Sequence, residues 1–390
     1  MTAYLNALGL NCALGMDSTA VARGLFAADT GGLRPASGWV PGLTLPVAAV
    51  PGALPDIPAH LMGQASRNNQ LLLQATWQID AEIQQAIARF GPTRIGVVLG
   101  TSTSGIDEAS RGISHYLRDR QFPGDYDYQQ QELGAPAAFL ADLYQLAGPA
   151  HVISTACTSS ARALMTARRL LAMNLCDAVL CGGVDSLCRL TLNGFQALEA
   201  VSAQRCNPFS ANRDGINIGE AAVLFLMTRE PGQVALLGAG ASSDAYHISA
   251  PEPGGLGALQ AMRKALTQAG LGARQIGYLN LHGTATRHND AMESLAVNQL
   301  FDQGVPCSST KSLTGHTLGA AGALEAAFCW LSLQPGAGLP PHQWDGVADL
   351  QLPALAFVQP GQVLHGPRNL MSNSFAFGGN NVSLIIGDAS

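Results

Sequence analysis

The stretch Ser154-Thr-Ala-Cys-Thr-Ser-Ser-Ala-Arg-Ala163 follows two β-branched residues, Val152 and Ile153, and leads into a helix-like run ending Arg168-Arg169-Leu170-Leu171. It predicts a buried strand, a tight turn and a helix whose first turn carries Cys157. At a helix N-terminus the unpaired backbone N–H groups and the positive end of the macrodipole favour a thiolate, which makes Cys157 a candidate nucleophile with a lowered pKa. Free cysteine is also among the most buried residue types, so Cys157 taken alone reads more often as a packing residue. The choice between the two depends on what the rest of the chain places beside it.

The chain has 390 residues, 47% hydrophobic and only 12% charged, enough apolar surface for a large core or two closely packed halves. Few charges and no apolar run of membrane-spanning length predict a soluble protein that hides further surface in an oligomer. The start Met1-Thr-Ala-Tyr-Leu-Asn-Ala-Leu-Gly-Leu10 lacks the basic opening and long apolar segment of a secretory signal, so a cytoplasmic location is expected. The eight cysteines include no C-x-x-C pair and no histidine spacing of a zinc site; reduced thiols and no metal are expected. A net charge of −6 gives no general attraction to nucleic acid or anionic membranes.

Along the chain, Ala3 to Leu10 reads as a strand and Ser18 to Ala28 as a helix capped by Asp17 or Ser18. Gly31 to Pro58, rich in proline and glycine, reads as irregular surface chain. Leu72, Ala75, Ile79, Ile83 and Ile87 recur at helical spacing and predict one long helix over 71–90. Arg94 to Gly100 predicts a central strand buried on both faces. Thr101 to Gly134, with Tyr116, Phe122, Tyr126 and Tyr128 among charges, reads as a lid, a pocket wall or a subunit contact. Asp177 to Val184 and Glu220 to Met227 are further buried strands, and past Arg229-Glu-Pro-Gly232 the alternation of strand and helix restarts. The alternation predicts a mainly parallel sheet with helices on both faces, and two halves of similar order suggest an internal duplication with the site between them.

Asn280-Leu-His-Gly-Thr-Ala-Thr286 places His282 directly after an apolar strand, with Asp290 and Glu293 on the helix that follows. Ser308-Ser-Thr-Lys-Ser-Leu-Thr-Gly-His-Thr-Leu-Gly-Ala-Ala-Gly322 puts Lys311 and His316 on a glycine-rich turn entering a helix. Two histidines beside glycines that let a substrate approach the backbone look like neutral imidazole donors aimed at one ligand oxygen. A single histidine reads more often as a satisfied structural residue; three such punctuated sites in one α/β chain do not. In Asn373-Ser-Phe-Ala-Phe-Gly-Gly-Asn-Asn381 the Gly-Gly turn can present backbone N–H groups to an oxyanion while Phe375 and Phe377 exclude water, although a plain hairpin turn accounts for the stretch as well.

These segments, together with Arg213-Asp-Gly-Ile-Asn-Ile-Gly-Glu220, resemble in order and over essentially the whole chain the elongating β-ketoacyl-acyl carrier protein synthases. The resemblance implies an α/β thiolase-like fold of five layers, α-β-α-β-α. It divides into a half over 1–231 carrying the cysteine and a half over 232–390 carrying both histidines and a gate loop. It further implies that Cys157 takes an acyl chain from a carrier-protein thioester and that malonyl carrier protein loses CO2 to give the attacking enolate. His282 and His316 would hold the malonyl thioester oxygen. The N–H groups of Cys157 and Phe377 would form the oxyanion hole, Phe377 would gate the site with Phe375 beside it, and Lys311 with Glu325 would organise it electrostatically. Thr284 and Thr286 would contact the pantetheine arm, with Asp290 and Glu293 supporting. No cofactor or metal is implied beyond the carrier's phosphopantetheine; the partners are an acyl carrier protein and an identical or homologous second subunit.

Arg287 stands where the family usually has proline, Ala376 replaces a usual glycine, and the stretch from Gly194 to Pro208 looks short. These departures fit a specialised enzyme, such as a polyene condensing enzyme, at least as well as a fatty-acid one. Carrier proteins are acidic, and Arg67, Arg205 and Arg213 are the candidate docking residues, although a surface arginine is commonly just solvated. Two alternatives remain: a catalytically silent, chain-length-setting partner subunit, against which the intact Cys157 speaks, and a thiolase, which needs a second active-site cysteine that the C-terminal glycine-rich turn lacks.

Overall fold

In the computed structural model, which describes residues 1–389, the chain opens on β1 (Ala3–Cys12) and α1 (Ser18–Phe26). The cap of α1 is Asp17, whose carboxylate accepts the Ala20 N–H at 2.8 Å. The proline-rich segment expected to be irregular instead forms β2 (Leu33–Ser37) and β3 (Thr44–Ala48), an antiparallel pair. Its partner, β7 (Ile218–Gly219), lies far along the sequence, so local propensity carries no trace of the pairing. The single helix predicted over 71–90 is two, α2 (Arg67–Trp77) and α3 (Asp80–Phe90). Ile79 leaves helical geometry at φ −128° and ψ 21°. At the break the Gln78 amide donates to the Leu10 and Met16 carbonyls and accepts the N–H groups of Leu10 and Ser18, tying the helices to β1.

The rest of the first half comprises β4 (Ile95–Gly100), α4 (Ile106–Asp119), α5 (Ala135–Tyr144), β5 (Ala150–Ile153), α6 (Ser159–Ala172), β6 (Ala178–Asp185), α7 (Arg189–Ala197) and β8 (Ala221–Thr228). The second half is β9 (Val234–Ser243), α8 (Leu256–Ala269), β10 (Tyr278–Asn280), α9 (Arg287–Leu300), β11 (Pro306–Ser308), α10 (Lys311–Thr314), α11 (Ala321–Ser332), β12 (Ala356–Phe357), β13 (Asn369–Ala376) and β14 (Asn380–Asp388).

Five strands of the first half run in the order β5-β4-β6-β8-β1, and five of the second in the order β11-β10-β13-β14-β9. In each set the first three are parallel and the last two antiparallel, so the sheet is mixed rather than mainly parallel. The sets join only where Ala3 and Tyr4 of β1 meet Leu236 and Ala235 of β9. Strand alternation then sorts the layers. On β8, Val223 and Phe225 share a core with α6 and α11, whereas Leu224 and Leu226 pack with the residues of α2, α3 and α5. On β14, Leu384 and Ile386 join the α6/α11 core, and Ile385 faces α8 and α9. Helices α6 and α11 are therefore the middle of five layers, and nearly every residue of α11 is buried.

The lead-in to Cys157 is not buried as predicted. β5 is the outer strand of its set and its residues are exposed or half-buried. The Thr101–Gly134 region forms α4 and a loop whose Tyr116, Phe122 and Tyr126 rings stack at 4.6 and 4.4 Å, and none of its residues lines the cavity described below.

Candidate active site

Cys157 sits not in the first turn of α6 but in the turn ahead of it, with Thr158 as the cap. Ala156 takes a left-handed φ of 51°, which turns the chain sharply out of β5. The Ser159 hydroxyl holds that turn by accepting the Thr155 N–H at 2.9 Å. The helix start can lie this deep because the neighbouring strand ends carry no side chain. A Cβ on Gly100 of β4 would come 2.2 Å from Ser160 N, and one on Gly183 of β6 would come 2.5 Å from Ser160 Cβ.

The equivalent position in the second half is the start of α11, and the loop before it carries His316. That loop is fixed by β7: His316 N–H donates to Asn217 O at 2.7 Å, and Gly219 N–H donates to His316 O at 3.0 Å. His316 Nε2 lies 3.0 Å from Cys157 Sγ. His282 follows β10, and its ring meets that of His316 edge-on at 5.3 Å. One ligand atom from each of Cys157, His282 and His316 falls within 4.8 Å of the others, so residues distant in sequence converge on one point. The three-atom set could in geometry hold a soft metal ion, but its two rings face a substrate-sized cavity, and a cysteine with two neutral imidazoles equally forms a nucleophile with two donors.

Burial pushes both histidine pKa values well below the ordinary range, with the nearby Lys311 ammonium adding to the shift, so both rings are neutral at physiological pH. This agrees with the expected imidazole donors. The Cys157 thiol departs from expectation. Burial pushes it up to about 12, and the opposing pull of Lys311 is smaller. The sequence reading counted the helix N-terminus but not the loss of water around the sulfur.

Lys311, at the first position of α10, is buried against Glu325 of α11, the two side chains being 2% and 3% exposed. Its ammonium donates to the Glu325 carboxylate and the His282 carbonyl, and lies 3.5 Å from His282 Nδ1. An ammonium only donates, so Nδ1 is the acceptor and the His282 proton sits on Nε2. Glu293 shapes the turn from beneath, accepting the His282 N–H at 2.8 Å and the Gly283 N–H at 2.7 Å; burial pushes its pKa up to about 7. Asp290 accepts the Phe209 N–H at 2.7 Å. Glu293 and Asp290 act on backbone rather than on the reacting atoms.

The cavity above the cysteine measures about 490 Å³ and is lined by Cys157, both histidines, Thr284, Thr286 and Phe377, among others. The two threonine hydroxyls lie 2.9 Å apart. Phe375 is buried with its ring 6.0 Å from that of His282, whereas Phe377, at the hairpin turn between β13 and β14, is 36% exposed and packs at 5.6 Å on Phe195. Of the pair expected to exclude water, only Phe375 is positioned to do so with the cavity open. Arg287 lies exposed at the cavity rim.

One of the three docking candidates is withdrawn: Arg213 is 7% exposed and ion-paired with Asp349. Arg67 pairs through Nε and Nη2 with the buried Glu220 carboxylate, while its side chain stays 37% exposed. Arg205 is exposed and stays available. Sequence reasoning missed Asp185, at the end of β6. One of its oxygens accepts Thr101 Oγ1, Ser102 N, Thr103 N and Thr103 Oγ1 at 2.6 to 2.9 Å, and the other accepts Gly319 N at 2.5 Å. It locks the start of the α11 loop to β4. A carboxylate closing an otherwise apolar strand was the available signal.

Comparison with known proteins matches residues 42–231 to the β-ketoacyl synthase N-terminal domain and residues 234–343 to the β-ketoacyl synthase C-terminal domain. The chain is 32% identical over 340 residues to the putative mitochondrial 3-oxoacyl-[acyl-carrier-protein] synthase of Schizosaccharomyces pombe, covering 81% of this chain and 78% of that one. In structure it is similar to a chain of the complex of the ketosynthase ApeO with its chain length factor ApeC from Xenorhabdus doucetiae. That match has a TM-score of 0.96 and 49% identity over 100% of this chain and 98% of the other. It is also similar to a chain of the ishigamide ketosynthase/chain length factor, with a TM-score of 0.89 and 25% identity over 100% and 99% of the two. The stacked mixed sheets are those of the thiolase-like fold, and no helix among the described residues is long and apolar enough to cross a membrane. With both of its domains matched and the relatives aligned over most of their length, the chain belongs to the β-ketoacyl synthase family of condensing acyltransferases.

Proposed function

We propose that this chain catalyses the decarboxylative Claisen condensation of a carrier-bound malonyl unit with an acyl chain held on Cys157. Cys157 attacks the acyl thioester, its sulfur–carbon bond forms, and the pantetheine sulfur leaves with a proton. The malonyl thioester then enters, with its carbonyl oxygen held by the Nε2 atoms of His282 and His316. Loss of CO2 leaves its electron pair in an enolate, which the two imidazoles stabilise as charge develops. The enolate carbon attacks the acyl carbonyl, whose oxygen rests on the N–H groups of Cys157 and Phe377, and the cysteine sulfur is released. Lys311, paired with Glu325, keeps the His282 proton on Nε2. Thr284 and Thr286 receive the pantetheine arm of an acyl carrier protein, and Arg205 contributes to docking. No cofactor beyond that arm enters the reaction, and the expected location is cytoplasmic.

The observation that carries this reading is the convergence of one sulfur and two neutral imidazoles within 4.8 Å at the base of an open cavity. Incubation with an acyl carrier protein followed by mass spectrometry should find the acyl group on Cys157; an unmodified Cys157 would refute it. His316→Ala should abolish CO2 release from malonyl carrier protein, and an unchanged rate would remove His316 from the mechanism.

We read the two halves, divided at 231/232, as a duplicated thiolase-like unit, a reading supported by their identical strand order. We further infer that the chain works beside a homologous ketosynthase-like subunit. The open edge of β5, the exposed Leu117 of α4 and Phe122 just past it, and the relatives solved with a chain length factor support this. Cys157 argues that this chain is the elongating member rather than the silent one. A homodimer formed by the purified chain alone, and fully active, would overturn the heterodimer.

A further inference from the structure

His342 lies on the segment between α11 and β12, is 5% exposed, and does not line the cavity. Its ring stacks on Phe357 at 3.9 Å and 9°, with Trp344 and Phe209 tilted around it at 5.6 and 6.0 Å. Both nitrogens have partners of fixed polarity. The Ser309 N–H, which can only donate, reaches Nδ1 at 3.1 Å, and the Pro208 carbonyl, which can only accept, lies 3.2 Å from Nε2. The ring is therefore the neutral tautomer protonated on Nε2. Burial pushes its pKa down to about 3, in keeping with that form.

Each partner leads into a catalytic loop. The Ser309 hydroxyl donates to Gly283 O at 2.7 Å and accepts the Lys311 N–H at 3.3 Å. Pro208 precedes Phe209, which takes a φ of +64°, uncommon for an aromatic residue, and whose N–H is held by Asp290. These two neighbours also enclose Gly283: a Cβ there would come 2.6 Å from Ser309 Cβ and 2.8 Å from Phe209 Cε2. The residue so enclosed is the one directly after His282.

We propose that His342 is a positioning residue, an uncharged two-sided clamp that sets the His282–Gly283 turn and the Lys311 backbone through Ser309 and Pro208–Phe209. The inference rests on the ketosynthase reading. On that reading, acylation of Cys157 does not use His282, whereas decarboxylation does, so the two half-reactions separate a positioning role from a merely structural one.

The test measures both half-reactions on the purified protein with whatever partner subunit it requires: acyl transfer to Cys157 by intact mass, and CO2 release from malonyl carrier protein. His342→Phe keeps the ring stack and deletes both hydrogen bonds. Its decarboxylation kcat should fall by about ten- to a hundredfold, the scale of a small misplacement of a catalytic group, while acylation stays near the wild-type rate. His342→Asn places an amide oxygen near the Nδ1 position and His342→Gln an amide N–H near the Nε2 position, so each restores one side of the clamp and should recover part of the decarboxylation. A wild-type decarboxylation rate in His342→Phe, or an equal loss of both half-reactions, overturns the inference. If His342→Phe does not fold, the Asn and Gln variants decide, and wild-type decarboxylation in both, or a loss shared equally by acylation, overturns it. A wild-type protein that neither takes an acyl group nor releases CO2 refutes the ketosynthase reading, and this inference with it. That outcome differs from an active wild type with indifferent variants, which sinks only the role of His342.

Discussion

Lys311→Met removes one member of the buried Lys311–Glu325 pair and leaves the other in a site that is 3% exposed. An uncompensated buried charge costs about 3–5 kcal/mol, but a carboxyl can escape by keeping its proton. In the wild-type chain burial pushes the Glu325 pKa up and Lys311 holds it back; in the variant only the upward push remains. An acid whose folded pKa is above its unfolded value of about 4.3 retains a proton that the unfolded chain has lost. Stability then falls as pH rises through that window, by at most about 1.4 kcal/mol per pH unit. Near pH 5 the variant should sit within about 1–2 kcal/mol of wild type, the worth of the lost bond to the His282 carbonyl. The wild-type Glu325, itself pushed up to about 7, loses stability in parallel below that pH. The gap therefore opens only above pH 7 and should widen by about 1 kcal/mol by pH 8. Urea midpoints measured in parallel across this range read the gap directly. Adding Glu325→Leu removes both charges together and should recover most of the loss at pH 8. A gap that does not change with pH, or a double variant no more stable than the single one, would refute the reasoning.

Asp185→Asn puts an amide against five donors. It should cost about 2–3 kcal/mol in chemical denaturation, in the range of hydrogen bonds to a charged group; a loss below half that would show the cluster to be slack. Because burial pushes the Cys157 thiol up to about 12, iodoacetamide labelling of that residue should keep accelerating from pH 7 to pH 9. A plateau already reached at pH 7 would show a resting thiolate. Arg205→Ala should raise KM for a carrier-bound substrate without moving the thermal midpoint, whereas Arg213→Ala, which breaks a buried pair with Asp349, should lower the midpoint. The reverse pattern would return Arg213 to the docking surface.

Much of the site was legible in the sequence because its chemistry is local. A cysteine among small residues ahead of a helix, a histidine closing an apolar strand, and a lysine and a histidine on a glycine-rich turn each carry their signal within about a dozen residues. Apolar runs such as Ile95–Gly100 and Ala221–Thr228 declared themselves as strands for the same reason, since burial on both faces leaves no polar positions. Where the reading failed, the deciding contact was remote. β2 and β3 are fixed by β7, the helix break at Gln78 by the backbone of β1, and the loss of Arg213 from the surface by Asp349.

The sequence by itself determined which groups could react and most of the segments that form strands and helices, since residue type and period depend only on near neighbours. It did not determine how those groups behave. That His316 lies against Cys157, that both imidazoles are neutral, and that the thiol resists ionisation follow from the stacking of two like-ordered strand sets around α6 and α11. That packing removes water from the site, and the cost of a charge without water is set by the whole fold rather than by any one stretch of chain.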